Sequence, residues 1–344
     1  MPRFDQNRTA SPRATAPIQH IVLIGTAIMA VVTFLTVVQN GGADRSVQPA
    51  PAPQAMYYPV AQPASPALRG RTDLEPLKIT PAVPSPRTPA VKLQPNSGGA
   101  MFADLSPKSL ESSFWASDTE RRHGHYGGRW AAENIRSTPN GVELQVHREK
   151  TPDSPYSNAE FRSKNEYGYG RYEAIMQVGK GDGLVSAFFT YTGPYANTPH
   201  DEIDVEFLGK DTTKVLFNYW HKGQRGSFAT FDLPFDASEA AHLYAFEWTP
   251  DKITWFIDGE PYYSTEPGDT KIPSHAGRLY FSHWTGVPSM SGWHGKPTFT
   301  SGEATVVSCA SFTPLGKDAQ SCADAFDPDQ AKQTQSFAAL IGHP

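Results

Sequence analysis

The chain has 344 residues, of which 35 are acidic and 30 are basic, so its formal net charge is −5. This balance excludes the basic surface that nucleic-acid binding requires, and the two cysteines exclude a small disulfide-dense protein and a four-cysteine zinc site. Aromatic residues make up 12% of the chain, too many for a disordered protein, so we expect a globular protein with many aromatic surfaces.

The first predicted element is an apolar segment at residues 18–38. Its central part, Ile21–Val38, has 18 residues and no charge, and a helix of about 20 residues spans a membrane. Arginines within residues 1–17 favour a cytoplasmic N-terminus. The sequence therefore predicts a single-pass signal anchor in the cell membrane, with the rest of the chain periplasmic or extracellular. A cleaved signal peptide, whose apolar region is usually ~7–15 residues long, would make the protein secreted. A buried core helix is a further alternative.

Residues 39–100 contain 12 of the 31 prolines, mixed with Ala, Ser and Gln. Proline has no amide hydrogen and a fixed φ, so this segment cannot form regular helix or sheet, and it is too polar to supply a core. We predict a disordered linker, partly in the polyproline II conformation, that holds the folded part away from a membrane.

Residues 101–315 are predicted to form one all-β domain, followed by a tail at residues 316–344 without a predicted function. Short β-branched or aromatic runs alternate in polarity and are bounded by turn residues, which is typical of a jelly-roll sandwich of two antiparallel sheets. The predicted strands are Val142–His147, Arg171–Val178, Leu184–Tyr191, Glu202–Leu208, Lys214–Trp220, His242–Trp248 and Ile253–Gly259.

Cys309 and Cys322 lie 13 positions apart near the end of this region. Outside the cytoplasm they can form a disulfide, and closing a loop of this length is worth ~3 kcal/mol. Two free thiols are the alternative.

The predicted strand Glu202–Leu208 is the most informative stretch of the sequence. Alternate residues of a strand share a face, so Glu202, Asp204 and Glu206 are predicted to point one way and the apolar residues between them into the core. Neighbouring like charges about 6.6 Å apart repel each other, and an ordinary strand usually places Thr or Lys there. The pattern alone leaves a functional row and an ordinary polar face equally open.

A row of carboxylates suits two chemistries. Retaining glycoside hydrolysis uses two carboxyl groups ~5–5.5 Å apart, and two Glu side chains on a concave sheet can approach each other across four residues. Ionised Glu202 would then raise the pKa of Glu206 and keep it protonated as the acid. Metal binding by His200, Asp204 and Glu206 is the rival, but the sequence offers no clear further ligand.

The segment HDEIDVEFLGKDTTKVLFNYW at residues 200–220 resembles the active-site strand and the following strand of glycoside hydrolase family 16, in particular bacterial lichenases (endo-1,3-1,4-β-glucanases). The resemblance includes YGYGRYEAIM, SAFFTYTGP and HLYAFEWTPDKITWFIDG and covers about residues 110–312. It implies a β-jelly roll of two curved antiparallel sheets, with the substrate along the concave face.

The resemblance also implies roles for individual residues. Glu202 matches the nucleophile, Glu206 the acid/base, and Asp204 a residue that assists them. The residues that match substrate-binding positions are Glu160, Arg162, Phe189, Tyr191, His200, Asn218, Trp220, Trp284 and Trp293.

Some positions depart from the pattern of the family. His200 stands where lichenases usually have Trp and plant xyloglucan-acting relatives have His. Residues 282–284 read SHW where NLW is usual, and HYGGRW at residues 125–130 lacks a common Asn. Ser308 replaces an Asp that often binds structural calcium, which argues against calcium here. The predicted catalytic residues are thus intact, whereas the predicted sugar-binding subsites differ.

The resemblance therefore implies a retaining endo-β-glycanase that cleaves β-1,3/1,4-linked glucan or a bacterial exopolysaccharide. We expect a monomer that needs no metal or organic cofactor. Its partners would be the β-linked polysaccharide and, through the N-terminal helix, the membrane, but no nucleic acid. A transglycosylase, towards which His200 points, and a non-catalytic glucan-binding module are the alternatives.

Overall fold

The computed structural model describes residues 98–149, 154–299 and 301–329. The predicted signal anchor, residues 39–97 of the predicted linker and the end of the predicted tail lie outside these ranges. Within the described ranges, no helix has the length and apolar character needed to cross a membrane. The signal anchor therefore stays a prediction.

The described residues form seventeen strands and two short helices, and each predicted strand overlaps an observed one. In chain order the elements are β1 Met101–Ala103, α1 Pro107–Ser113, β2 Phe114–Ala116, β3 Gly128–Trp130, β4 Ile135–Thr138, β5 Gly141–Leu144, β6 His147–Arg148, β7 Tyr156–Tyr167, β8 Gly170–Gln177, β9 Leu184–Thr192, β10 Asp201–Leu208, β11 Lys214–His221, β12 Gln224–Asp232, β13 His242–Trp248, β14 Ile253–Ile257, β15 Glu260–Ser264, β16 Gly277–Thr285, α2 Ser291–His294 and β17 Thr305–Pro314.

These strands form two sheets. The front sheet has nine strands in the order β12-β11-β10-β9-β16-β7-β2, and β3 and β6 also pair with β7. The back sheet has eight strands in the order β15-β14-β13-β8-β17-β5-β4, with β1 paired to β17. Apart from the short parallel pair of β3 and β7, neighbouring strands run antiparallel. The predicted sandwich of two antiparallel sheets is confirmed.

The alternation along β10 decides which of its side chains enter the core between the sheets. Ile203, Val205 and Phe207 are at most 1% exposed and face the back sheet. From the back sheet, the Trp255 indole N–H donates a hydrogen bond of 3.0 Å to the backbone carbonyl of Asp204. Full burial of each such apolar side chain stabilises the fold by about 1.5–3 kcal/mol. The even-numbered residues of β10 therefore face the opposite, open side of the front sheet.

A tight turn joins β11 to β12 beside this open face. Lys222 and Gly223 have φ values of 51° and 75°, the positive pair that type I′ turns use because their twist matches that of a hairpin. The turn brings Arg225 into register with Trp220. Since paired residues share a face, the side chain of Arg225 lies on the open face as well.

The segment after β17 packs against the back sheet. Cys309 and Cys322 form a disulfide, one of the two states that the sequence left open, and both are buried. Next to them, the amide of Ala323 donates a hydrogen bond of 3.0 Å to the Glu173 carboxylate. The packed structure thus continues beyond residue 315, the predicted end of the domain, because the disulfide holds the following segment on β17.

Candidate active site

The first row of side chains on the open face contains Glu202. Glu202 pairs with Tyr191 of β9 on one side and with Trp220 of β11 on the other. Asp204 and Glu206 follow on the same face of β10, because alternate residues of a strand share a face. The predicted line of three acidic side chains is therefore present on one surface.

The second row crosses the sheet at Asp204. Asp204 pairs with Asn218 of β11 and with Phe189 of β9. Beyond Phe189 come Tyr280 of β16 and Arg162 of β7, and the rings of Phe189 and Tyr280 stack with their centroids 4.9 Å apart. Five strands thus contribute aromatic or hydrogen-bonding side chains to one continuous band.

The third row begins at Glu206 and ends at Glu160 of β7. Between them lie Ala187 of β9 and Ser282 of β16, both almost fully buried. Because these two side chains are small, the sheet surface is low between the two glutamates. The row therefore forms the floor of a groove that crosses the strands.

His200 precedes β10 and orients Glu202. Its Nε2 lies 2.5 Å from Oε2 of Glu202. The imidazole stacks on Trp220 with centroids 5.3 Å apart and meets Tyr191 edge-on at 5.2 Å, so the ring itself is held between two aromatic side chains. The Glu202 side chain is still 20% exposed, which leaves it accessible to a molecule in the groove.

Glu206 differs from Glu202 in its surroundings. Burial, and next the negative charge of Glu202, raise the pKa of Glu206 to about 8, against the opposing positive charge of Arg225. Glu206 is therefore protonated at neutral pH. A protonated carboxyl group beside a negatively charged one is the combination that general acid catalysis next to a nucleophile requires.

Asp204, between the two glutamates, is 4% exposed. Burial, followed by the charges of Glu202 and Glu206, raises its pKa well above the ordinary value, and Arg225 again opposes this shift. The raised pKa favours the neutral form of Asp204. With Asp204 neutral, the three adjacent carboxyl groups do not all carry a negative charge.

Glu160 and Arg162 are joined through Ser117. The Ser117 hydroxyl donates to Oε1 of Glu160 at 2.5 Å, and Nη1 of Arg162 donates to the Ser117 oxygen. Burial raises the pKa of Glu160 to about 7, although the Ser117 hydrogen bond and Arg162 both lower it. At neutral pH Glu160 is therefore only partly ionised. This end of the groove offers hydrogen-bonding groups and less than one full negative charge.

Trp284 and Trp293 belong to an aromatic cluster beside the third row. Their ring centroids are 6.0 Å apart. Tyr126 lies 5.0 Å from Trp284 and 4.7 Å from Trp130, which completes the cluster. With these two tryptophans, every predicted catalytic and substrate-binding residue lies on the open face or at its border.

Tyr126 was not among the predicted site residues. Burial raises the pKa of Tyr126 well above the ordinary value, and the negative charges of Glu160, Glu202 and Glu206 raise it further. Tyr126 precedes β3 in a segment without alternating polarity, which left no signal in the sequence.

Tyr280 and Arg225 were also missed. Tyr280 could have been found, because it lies four residues before Trp284 and therefore on the same face of a strand. The guanidinium of Arg225 lies over Trp220 and Phe228 with Cζ 5.2 and 4.5 Å from the ring centroids. Its place on the open face depends on the turn between β11 and β12, and the register that this turn sets is not apparent in the sequence.

His283, the central residue of SHW, lies on the core side of β16. Its Nδ1 is 3.1 Å from the Ser186 hydroxyl and 3.0 Å from that of Thr305, and its Nε2 is 2.9 Å from the Glu303 carbonyl oxygen. Burial lowers the pKa of His283 to about 4, so the ring is neutral. At His283 this departure from the family pattern therefore changes the core, whereas at Ser282 it changes the floor of the groove.

The metal site that the sequence raised at His200, Asp204 and Glu206 is not assembled among the described residues. No three His, Cys, Asp or Glu side chains among them are arranged to hold a metal ion. His200 contacts Glu202 and Trp220 instead of joining Asp204 and Glu206. At the position of the calcium-binding Asp, the Ser308 hydroxyl lies 3.5 Å from the Ile175 carbonyl oxygen.

Residues 122–301 match the sequence model of glycosyl hydrolases family 16. The chain belongs to this family. The matched region includes β10 and every predicted site residue, so this family-16 chain is a glycoside hydrolase.

Similar proteins agree with this assignment. The chain is 39% identical over 200 residues to a beta-glucanase of Bacillus amyloliquefaciens, which covers 58% of this chain and 81% of that protein. It is 38% identical over 197 residues to a beta-glucanase of Acetivibrio thermocellus, covering 57% of this chain but only 56% of that longer protein.

Solved family-16 structures share the fold. A prokaryotic beta-1,3-1,4-glucanase (lichenase) from a mouse hindgut metagenome superimposes with a TM-score of 0.58 at 35% identity, covering 63% of this chain and 100% of that one. The beta-glucanase of Bacillus licheniformis gives a TM-score of 0.58 at 34% identity, covering 63% of this chain and 98% of that one.

Proposed function

We propose that the chain is an endo-acting β-glucanase that cleaves β-1,3/1,4-linked glucan, or an exopolysaccharide with such a backbone, with retention of configuration. The observation that carries this proposal is the pair Glu202 and Glu206 on one face of β10. Glu206 is protonated at neutral pH, while Glu202 is oriented by His200. The similarity to beta-glucanases supports the choice of a β-glucan as the polymer.

In the first step, a carboxylate oxygen of Glu202 forms a bond to the anomeric carbon. The glycosidic bond breaks at the same time, and Glu206 gives its proton to the departing sugar oxygen. In the second step Glu206, now ionised, takes a proton from water. The resulting hydroxide oxygen attacks the anomeric carbon and releases Glu202, so both residues return to their starting states.

The neighbours of the pair support these roles. The raised pKa of Asp204 leaves the ionised form to the nucleophile, Glu202. The flat rings along the second row suit sugar faces, and polar groups such as Asn218 and the Glu160 carboxyl suit sugar hydroxyls.

We extend the proposal to location: the enzyme acts outside the cytoplasm, held to the membrane by residues 18–38. The Cys309–Cys322 disulfide supports this location, because disulfides persist in oxidising compartments.

The substrate proposal is tested with the full-length chain on mixed-linkage β-glucan, laminarin, cellulose and bacterial exopolysaccharides. We expect a rapid fall in the viscosity of mixed-linkage β-glucan with few new reducing ends, since cleavage is internal. Proton NMR of the first product should show the β-anomer. An added oligosaccharide acceptor separates hydrolysis from transglycosylation. Failure to cleave any β-glucan backbone would contradict the proposal.

The pH dependence of kcat/KM tests the role of Glu206. Because the acid must be protonated, we expect kcat/KM to fall as the pH rises through about 8. The positive charge of Arg225 lowers the pKa of Glu206, so Arg225→Met should move this fall to higher pH.

The matched control is Arg171→Met on the back sheet, which should leave the profile in place. Arg171 also lies over an aromatic ring, that of Phe256, at 4.2 Å. An alkaline limb that is identical in wild type and Arg225→Met would contradict the assignment of Glu206 as the titrating acid.

A further inference from the structure

Arg278 lies between two exposed aromatic rings at one border of the open face. Its Cζ is 4.9 Å from the ring centroid of Trp115 and 5.7 Å from that of Tyr195. Both rings are 47% exposed, and among the described residues only Leu315 is a comparably exposed large apolar side chain. An arginine flanked by two exposed rings is therefore an unusual feature of this surface, and we name it the arginine cluster.

The arginine cluster continues the groove. Arg278 of β16 pairs with Tyr191 of β9, which pairs with Glu202. Two inter-strand spacings, about 10 Å, thus separate the Cα atoms of Arg278 and Glu202. Trp115 of β2 pairs with Arg162, so it lies on the same face. A polysaccharide bound across the strands passes both the nucleophile and this cluster.

The guanidinium of Arg278 is held in one orientation. Its Nη1 donates to the backbone carbonyl oxygens of Ser163, at 2.9 Å, and Lys164. Its Nη2 is 4.0 Å from a carboxylate oxygen of Glu166, beyond hydrogen-bonding distance. Within the described part of the chain, Nε and Nη2 make no hydrogen bond, so they remain available to a ligand.

The charges around Arg278 are unbalanced. Arg162 and Lys164 lie on the neighbouring strand β7, and Glu166 is the nearest acidic side chain to Arg278. Glu160 is only partly ionised at neutral pH, because burial raises its pKa to about 7. On β7 and β16 this border therefore carries the positive side chains of Arg162, Lys164 and Arg278 against Glu166 and a partly ionised Glu160, although a chain of unmodified glucose residues presents no charge to pair with them.

We propose that the arginine cluster binds a carboxylate-bearing sugar residue of the β-glycan substrate. The exposed rings of Trp115 and Tyr195 pack against the sugar, and Arg278 donates from Nε and Nη2 to the carboxylate, as planar guanidinium groups commonly do. This inference rests on the proposed β-glucanase function and specifies an anionic substrate class for it.

The test compares one polymer in two charge states. Mixed-linkage β-glucan is oxidised at a fraction of its C6 hydroxyl groups to carboxylates, and half of the sample is converted to methyl esters. The measured quantity is kcat/KM on the carboxylate form divided by kcat/KM on the ester form. We expect Arg278→Gln to lower this ratio about tenfold, because a charge-assisted hydrogen-bonded pair is lost.

Arg278→Lys keeps the charge without the two-pronged donor geometry and should give an intermediate ratio. Arg171→Gln is the matched control, since Arg171 lies over Phe256 and is paired with Glu173 at 2.6 Å, but on the back sheet. It should leave the ratio unchanged. Equal ratios for wild type and Arg278→Gln would overturn the proposal.

Binding to both polymers is also measured with a Glu202→Ala background by isothermal titration calorimetry. Here Arg278→Gln should weaken binding of the carboxylate form about tenfold relative to the ester form. This readout does not need turnover. If neither polymer is cleaved but the binding difference is present, the proposed β-glucanase function fails and the carboxylate site stands. If cleavage occurs but the binding difference is absent, the carboxylate site fails alone.

Discussion

Replacing Glu202 with Ala is expected to lower kcat on mixed-linkage β-glucan by about 10⁴-fold or more, because no other group can form the covalent intermediate. Glu202 has the position this role needs: it lies on the open face of β10, 20% exposed, and its carboxylate is oriented by His200 at 2.5 Å. Steady-state release of reducing ends from the full-length chain measures the effect.

Sodium azide distinguishes loss of the nucleophile from loss of the fold. With Glu202→Ala and a substrate that has a good leaving group, azide should restore turnover and yield a glycosyl azide of inverted configuration. Glu260→Ala, at an exposed position of the back sheet, should keep wild-type kcat. If Glu202→Ala retains more than a small fraction of wild-type turnover, the assignment of the nucleophile is wrong.

The second large effect concerns Asp201, the first residue of β10. Its carboxylate is almost fully buried and accepts hydrogen bonds from the amide of Lys222 at 2.7 Å, the amide of Ser274 at 2.8 Å, and the amide and Nδ1 of His275 at 3.1 and 2.8 Å. Nδ1 of His221 lies 3.1 Å from it. Asp201 thus joins the start of β10 to the β11–β12 turn and to the segment before β16.

We expect Asp201→Ala to reduce the free energy of unfolding by about 3–5 kcal/mol, since several buried donors lose their acceptor at once. Chemical denaturation measured by fluorescence gives this value. Asp318→Ala, at an exposed position, is the control and should change it by less than about 0.5 kcal/mol. A loss as small as that of the control would show that the network does not stabilise the fold.

The pH dependence of stability provides a separate check on Asp201. Burial by itself would raise the pKa of Asp201, but the hydrogen bonds from Lys222, Ser274 and His275 hold it below the ordinary value. A carboxyl group with a lowered folded-state pKa contributes stability above its unfolded pKa of about 3.9, and this contribution disappears as the pH falls through the folded-state value. The stability difference between wild type and Asp201→Asn should therefore shrink in acid.

The sandwich could be predicted because strand periodicity is a local property. In β10, apolar Ile203, Val205 and Phe207 alternate with acidic residues, and this requires one buried and one open face whatever the neighbouring strands are. β7 was not predicted as a strand. Only its resemblance to known sequences indicated Glu160 and Arg162, because its long polar run does not alternate clearly.

The candidate active site was also predictable only where it depends on the alternation along one strand. The three carboxyl groups on one strand are visible in the sequence, and so is the reason that Glu202 should raise the pKa of Glu206. Tyr126 and Arg225 were not visible as site residues. Tyr126 comes from a segment without periodicity, and Arg225 faces the groove only because the Lys222-Gly223 turn sets the register of β12.

The order of amino acids within each strand therefore decided the fold class, the acidic row and its orientation, since a strand places alternate side chains on opposite faces. Tertiary structure decided the remainder: strand order and register place Arg278 two strands from Glu202, and packing of the segment after β17 pairs Cys309 with Cys322. Contacts between residues distant in sequence depend on which strands become neighbours. The packing of the two sheets as a whole determines that choice, and no short segment contains it.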